Sequence, residues 1–206
     1  MDILEILKEV KAVITDDHFV YTSGKHGSVY INKDAIYPHT KLSSTVGEMF
    51  AQRVKDIDVD AVVAPALGGI ILSQWTAHHL SKLQNKEILG IYTEKDQDSN
   101  QVLKRGYDKL IDGKNVLVVE DLTNTGGSVL KVTNTARDAG ANVITVGVMI
   151  NRSPDTVNDA MFDTKFFALG ELPAEAWDES ECKLCKAGIP INTSVGHGKK
   201  FLALKG

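Results

Sequence analysis

Residues 116–129, VLVVEDLTNTGGSV, decide how the chain is read. Val116, Leu117, Val118 and Val119 form a short β-branched-rich run of the kind buried on both faces of a parallel sheet, where polar alternation is not needed. Glu120 and Asp121 then stand at the carboxyl end of that strand. Thr123, Asn124, Thr125, Gly126, Gly127 and Ser128 follow, and from Val129 to Ala139 the apolar Val129, Leu130, Val132 and Ala136 fall at helical spacing. The stretch therefore predicts strand, acid pair, small polar loop and helix.

A loop of glycines and hydroxyls at a helix N-terminus offers free backbone N–H groups, a positive dipole end and side-chain donors to an anion, and phosphate is the natural guest. Two carboxylates beside it would repel phosphate unless hydroxyls or a cation lie between. A ribose cis-diol and Mg²⁺ both meet that condition. A surface turn capped by Asp121 and the threonines is the plain alternative, and the preceding strand and double acid weigh against it.

These fourteen residues resemble the signature with which type I phosphoribosyltransferases bind 5-phosphoribosyl-1-diphosphate (PRPP). The resemblance implies an α/β fold, a parallel sheet flanked by helices with a small N-terminal hood. It assigns Glu120 and Asp121 to the ribose hydroxyls and to catalysis, and Thr123 to Ser128 to the 5-phosphate. The first acid is Glu120 where Asp is common, and Asn124 replaces a frequent Thr. Neither change removes a donor from the loop.

Working outward, Asp60 to Ala64 predicts a second strand, running into Pro65, Ala66, Leu67, Gly68 and Gly69 and then an apolar helix, Ile70 to Leu83. In a parallel sheet its loop lies on the same edge as the first. Spacing alone also fits a tight turn with glycines for packing. Ala66, Leu67, Gly68 and Gly69 resemble the family's pyrophosphate loop, whose backbone amides hold the diphosphate. Some relatives carry a Lys near the second Gly, so Gly69 leaves the amides to act alone. Asn142 to Ile150 predicts another strand, with Arg152 at its carboxyl edge, and Lys165 to Leu169 a last one. A strand-terminal salt bridge would explain Arg152. In orotate phosphoribosyltransferases a similarly placed Arg pairs with the orotate carboxylate, which suits a planar guanidinium fork.

Toward the N-terminus, Ile3, Leu4, Leu7, Val10 and Ile14 make one helical stripe over Asp2 to Ile14. Phe19 to Tyr21 and Ser28 to Ile31 flank a turn at Ser23–Gly27 and predict a β-hairpin outside the main repeat. Lys25 and His26 read as a solvated turn. The TSGKH segment, followed by Asn32-Lys33-Asp34, is similar to the hood of orotate phosphoribosyltransferases, which makes Lys25 the base-contacting candidate ahead of Lys33. Thr22 stands where many relatives have Lys. Thr40 to Val54 predicts a helix with Leu42, Val46, Met49, Phe50 and Val54 inward.

After a strand at Glu87 to Tyr92, residues 93–110 are polar with little periodicity, a solvated charge run or a functional loop. The resemblance makes it the flexible catalytic loop, closing over the site of a neighbouring subunit in a homodimer. Lys95 matches the loop Lys that stabilises departing pyrophosphate. Glu94 replaces a frequent Arg and the usual His is missing, so Lys104 and Arg105 are secondary candidates.

With 206 residues, 43% hydrophobic and 24% charged, the chain has room for one α/β domain: a hood at about 17–38, a core at about 39–170 and a tail at about 177–206. A net charge of −4 gives no electrostatic footprint for nucleic acid. No apolar run approaches the ~20 residues that span a bilayer, and the N-terminus does not read as a signal sequence. We expect a cytoplasmic protein. The only cysteines, Cys182 and Cys185, supply half of a tetrahedral zinc site. His197 is a possible third ligand, but no fourth has a recognisable spacing, which favours a local turn feature.

The composite expectation is an orotate phosphoribosyltransferase using PRPP, orotate and Mg²⁺, the ion held mainly through PRPP. Rival readings are a purine or uracil phosphoribosyltransferase, a PRPP-sensing regulator, and an adapter whose CxxC binds zinc.

Overall fold

The run beginning at Val116 lies in the middle of a six-stranded sheet. The computed structural model describes residues 2–205. Helix α1 (Ile3–Glu9), strands β1 (Val13–Ile14), β2 (Phe19–Val20), β3 (His26–Gly27) and β4 (Tyr30–Ile31), and a 3₁₀ turn at Lys33–Ile36 open the chain. The core follows as α2 (Thr40–Arg53), β5 (Ala61–Pro65), α3 (Gly68–Gln84), β6 (Leu89–Lys95), β7 (Gln101–Val102), α4 (Tyr107–Ile111), β8 (Asn115–Thr123), α5 (Gly127–Asp138), β9 (Asn142–Asn151), α6 (Asp159–Phe162) and β10 (Lys165–Glu171). Two short helices, α7 (Lys183–Lys186) and α8 (Gly198–Ala203), punctuate the tail.

The sheet runs β10-β9-β8-β5-β6-β7, and every pairing is parallel except β6 with β7. Alternate side chains of the inner strands enter two separate cores, as the two-residue period of a strand requires. Val62, Ala64, Leu117 and Val119 pack with Ile6, Phe50 and Leu72 from α1, α2 and α3. Ala61, Val63, Val116 and Val118 pack with Val129, Val132 and Phe162 from α5 and α6. Both faces are covered, which is why these strands read as unbroken apolar runs. No helix among the described residues is long and apolar enough to cross a membrane.

Three local expectations are corrected. The first helix stops at Glu9, because Lys11 adopts a left-handed φ of 53°, and Val13–Ile14 is extended instead. The hood is not a single hairpin: β2 pairs with β3, whereas β4 pairs with β1. Residues 93–110 are not a structureless loop, since β6 and β7 form a hairpin. Its turn is tied by Asp96, whose carboxylate accepts the N–H groups of Asp98 at 2.9 Å and Asn100 at 2.8 Å.

The doubly covered sheet gives a stability prediction. Leu117 is fully buried against the α2/α3 side, so Leu117→Ala should lower stability by about 2–5 kcal/mol. The midpoint of urea unfolding at unchanged slope reads this, and an unmoved midpoint would contradict the packing.

Candidate active site

Strands β5, β8 and β9 are adjacent and parallel, so their carboxyl ends place the segments after Pro65, Thr123 and Asn151 on one edge. The segments touch: the N–H of Arg152 donates to the Thr123 carbonyl at 2.9 Å. A Cβ added to Gly68 would come within 2.5 Å of both Asp121 Oδ2 and the Tyr37 hydroxyl. Glycine at 68 is thus what lets the turn after β5 close onto the acid of β8.

β8 extends to Thr123, beyond the expected end at Val119, so Glu120 and Asp121 lie within the strand and are buried. Asp121 Oδ2 accepts hydrogen bonds from the Tyr37 hydroxyl at 2.9 Å and lies 2.9 Å from Lys33 Nζ. Lys33 also donates to Asp34 at 3.0 Å. Burial works against the Lys33 charge, but Asp121, through its charge and its hydrogen bond, outweighs it and raises the ammonium's pKa. Burial first, and Asp121 next, raise that of the Tyr37 phenol. A Glu120 carboxylate oxygen accepts the Asp121 N–H at 2.9 Å. Burial, then the charge of Asp121, pushes the Glu120 carboxyl well above the usual carboxylate range.

The loop from Thr123 to Ser128 turns on Gly126, whose φ of 75° is left-handed and which carries the N-cap of α5. The Gly126 N–H donates to Thr123 Oγ1 at 3.0 Å. Asn124, Thr125, Gly127 and Ser128 are exposed at the helix start. In the turn after β5, Leu67 is exposed and Gly69 is buried against Ala64, where a side chain would collide. The Ala66–Leu67 peptide is cis.

A cavity of about 760 Å³ opens at this edge, within the usual range for ligand pockets. Lys25, Lys33, Asn124, Thr125, Ser128 and Arg152 line it, together with Tyr21, Tyr30, Asn32 and the tail residues Gly196 and His197. Arg152 is buried: one Nη donates to the Tyr21 hydroxyl at 3.2 Å and to the Val29 carbonyl at 3.3 Å, its guanidinium lies over the Tyr21 ring, and its Nε has no partner among the described residues. Among the described residues it makes no strand-terminal salt bridge. Lys25 is about half exposed and 3.7 Å from Asp178.

Several predicted residues lie apart from the cavity wall. Ala66, Leu67, Gly68, Gly69, Glu120, Asp121, Thr123, Gly126 and Gly127 do not line it; Asp121 sits behind Lys33. Lys95 ends β6, exposed and outside the lining. Glu94 pairs with Lys104 at 3.1 Å and with Arg105, so the two secondary loop cations are held at the hairpin base. His26, read as a solvated turn residue, is fully buried. His197 bonds Thr22 at 3.1 Å and faces the cavity. Sequence reading named neither Tyr37 nor Tyr21 as a site residue and did not foresee the contact of Lys33 with Asp121, because isolated tyrosines carry no spacing signal and the pair is far apart in the chain.

Residues 32–180 match the model of the phosphoribosyl transferase domain, so the chain belongs to the phosphoribosyltransferase family. Within it, curated relatives are orotate phosphoribosyltransferases. That of Thermoanaerobacter sp. (strain X514) is 36% identical over 190 residues, 92% of this chain and 94% of the relative. That of Thermotoga maritima is 36% identical over 198 residues, 96% and 100% respectively. The fold matches the Mycobacterium tuberculosis H37Rv orotate phosphoribosyltransferase solved with PRPP, with a TM-score of 0.63 at 20% identity over 84% of this chain and 97% of that one.

The raised Glu120 pKa has a stability consequence. Through the window between its unfolded and folded pKa values the native state holds a proton that the unfolded chain has lost, so stability falls as pH rises. Glu120→Gln keeps an acceptor for the Asp121 N–H and should flatten that fall. At neutral pH the variant should equal or exceed the parent in urea midpoint, and a variant that stays parallel to the parent across pH would overturn the assignment.

Proposed function

We propose that this chain is an orotate phosphoribosyltransferase, moving the 5-phosphoribosyl group from PRPP to a ring nitrogen of orotate and releasing pyrophosphate in the cytoplasm. The carrying observation is that three cations, Lys25, Lys33 and Arg152, share one cavity with Thr125 and Ser128 of the phosphate-type loop. The 36% identical relatives named for this reaction support the same substrate pair.

In this reading the exposed hydroxyls and amides from Thr125 to Ser128 hold the 5-phosphate at the start of α5. Asp121, backed by Glu120, receives the ribose hydroxyls, and Lys33 exchanges its contact with Asp121 for the substrate. The amides of Ala66 to Gly69 take the diphosphate; Gly68 brings them against Asp121, so sugar and leaving group are fixed relative to one another. Asp121 is a hard oxygen donor beside that turn, which fits a magnesium diphosphate. Mg²⁺, when bound, neutralises leaving-group charge.

Displacement at the anomeric carbon builds oxocarbenium-like charge, as in glycoside cleavage. Arg152, already oriented by Tyr21 and Val29, presents its guanidinium to the orotate carboxylate, with Lys25 at the base. Lys95 stands outside this cavity, which supports a homodimer in which it reaches the partner's pyrophosphate. No covalent nucleophile is needed.

Arg152→Ala should raise KM for orotate at least tenfold, the scale of one charge-assisted contact, while KM for PRPP moves little. Pyrophosphate release assayed with orotate, uracil, hypoxanthine and adenine should occur with orotate and require Mg²⁺. Release with a purine alone, or equal KM effects on both substrates, would remove orotate and Arg152 from the scheme.

A further inference from the structure

The two cysteines do not form an isolated turn feature. His18 and His26 from the hood meet Cys182 and Cys185 from the tail, with one ligand-capable atom of each within 4.8 Å of all the others. The four come from segments more than 150 residues apart in sequence, with His18 and Cys182 separated by 164. His18 is 1% exposed, and His26 and Cys182 are fully buried. Both cysteines are free thiols.

We propose that these four side chains form a structural zinc site that clips the C-terminal tail to the hood. A tetrahedron with Zn–S of about 2.3 Å and Zn–N of about 2.0–2.1 Å has N···S edges of about 3.5 Å. The distances around the cluster are 3.6 Å from Cys182 Sγ to His18 Nε2, 3.7 Å from Cys185 Sγ to His18 Nε2, and 3.4 Å from Cys185 Sγ to His26 Nδ1. The two imidazole nitrogens are 2.9 Å apart, so a bound ion would spread them by a few tenths of an ångström toward the about 3.3 Å edge of the same tetrahedron.

The surroundings prepare the ligands. His18 Nδ1 lies 2.7 Å from the Ile189 carbonyl, which only accepts, so the ring proton sits on Nδ1 and the Nε2 lone pair faces the cluster. The Cys185 N–H donates to Cys182 Sγ at 3.4 Å, which fixes where that sulfur points. His26 turns Nδ1 into the cluster, 2.9 Å from His18 Nε2 and 3.4 Å from Cys185 Sγ. Two sulfurs and two nitrogens, with only Cys185 partly exposed, suit Zn²⁺ and not the oxygen-seeking Mg²⁺ or Ca²⁺.

The clip stands next to the cavity. Lys25 precedes His26 and lines the pocket. Gly27 packs against Tyr21, which braces Arg152. The same hood strands hold the tail by backbone bonds from Trp177 to His26 and from His197 to Val20.

The test uses the full chain, prepared without a histidine tag and under reductant. Elemental analysis should find one zinc per chain, and exchange with Co²⁺ should give thiolate-to-cobalt charge transfer and the intense ligand-field bands of a tetrahedral centre. Both signals should vanish in the Cys182→Ser/Cys185→Ser double variant. If that variant does not fold, thiol accounting on the parent replaces it: both thiols should resist a thiol reagent until a chelator is added. Chelation should lower Tm, and Zn²⁺ but not excess Mg²⁺ should restore it, which separates this site from any metal carried by substrate. Protein that takes up neither Zn²⁺ nor Co²⁺ would overturn the proposal. So would a Cys182–Cys185 disulfide, seen as a mass loss of two hydrogens, or stoichiometric iron in place of zinc.

Discussion

The contact on which the active edge depends is the grip of Lys33 and Tyr37 on the buried Asp121 carboxylate, with the Gly68 backbone pressed against the same group. It joins three segments far apart in the chain: the end of the hood, the turn after β5 and the end of β8. A buried carboxylate needs charge and hydrogen-bond partners, and here each partner belongs to a piece of the proposed substrate site. Leaving Glu120 buried beside it costs stability, a burden characteristic of binding sites rather than of packed cores.

The parallel sheet supplies the geometry for that contact. Because β5, β8 and β9 are neighbours and run the same way, three loops must emerge on one side, whatever their sequences. The two cores hold the strands from both faces, and residue identity at the edge then sets the chemistry. The hood and tail close the remaining side of the cavity, and they are bound to each other rather than to a large core of their own. That is why a cross-link at His18, His26, Cys182 and Cys185 would matter to a pocket it does not touch.

Legibility in the sequence followed the range of the interaction. The strands at 61–65, 116–123 and 142–151 and the helices after the first two were readable because burial imposes local periodicity. Gly126 was readable because its left-handed turn sits next to the strand and helix it links. Lys33 and Tyr37 were not, since their importance comes from Asp121, more than eighty residues away. The residues from 93 to 110 looked like a loop because a short exposed hairpin has no apolar face to betray it. His26 looked solvated because its burial is provided by the tail.

The sequence by itself determined the alternating α/β architecture, the acid pair with its phosphate-type loop, and the family those motifs define. Each is written within a dozen or so contiguous residues, where backbone preference and periodic burial act. Tertiary structure alone decided that Asp121 is held by Lys33 and Tyr37, that Arg152 is braced by Tyr21, and that two histidines meet two cysteines. Those contacts arise from chain segments brought together by the sheet and its covering layers, and no local pattern encodes a partner lying on the far side of the fold.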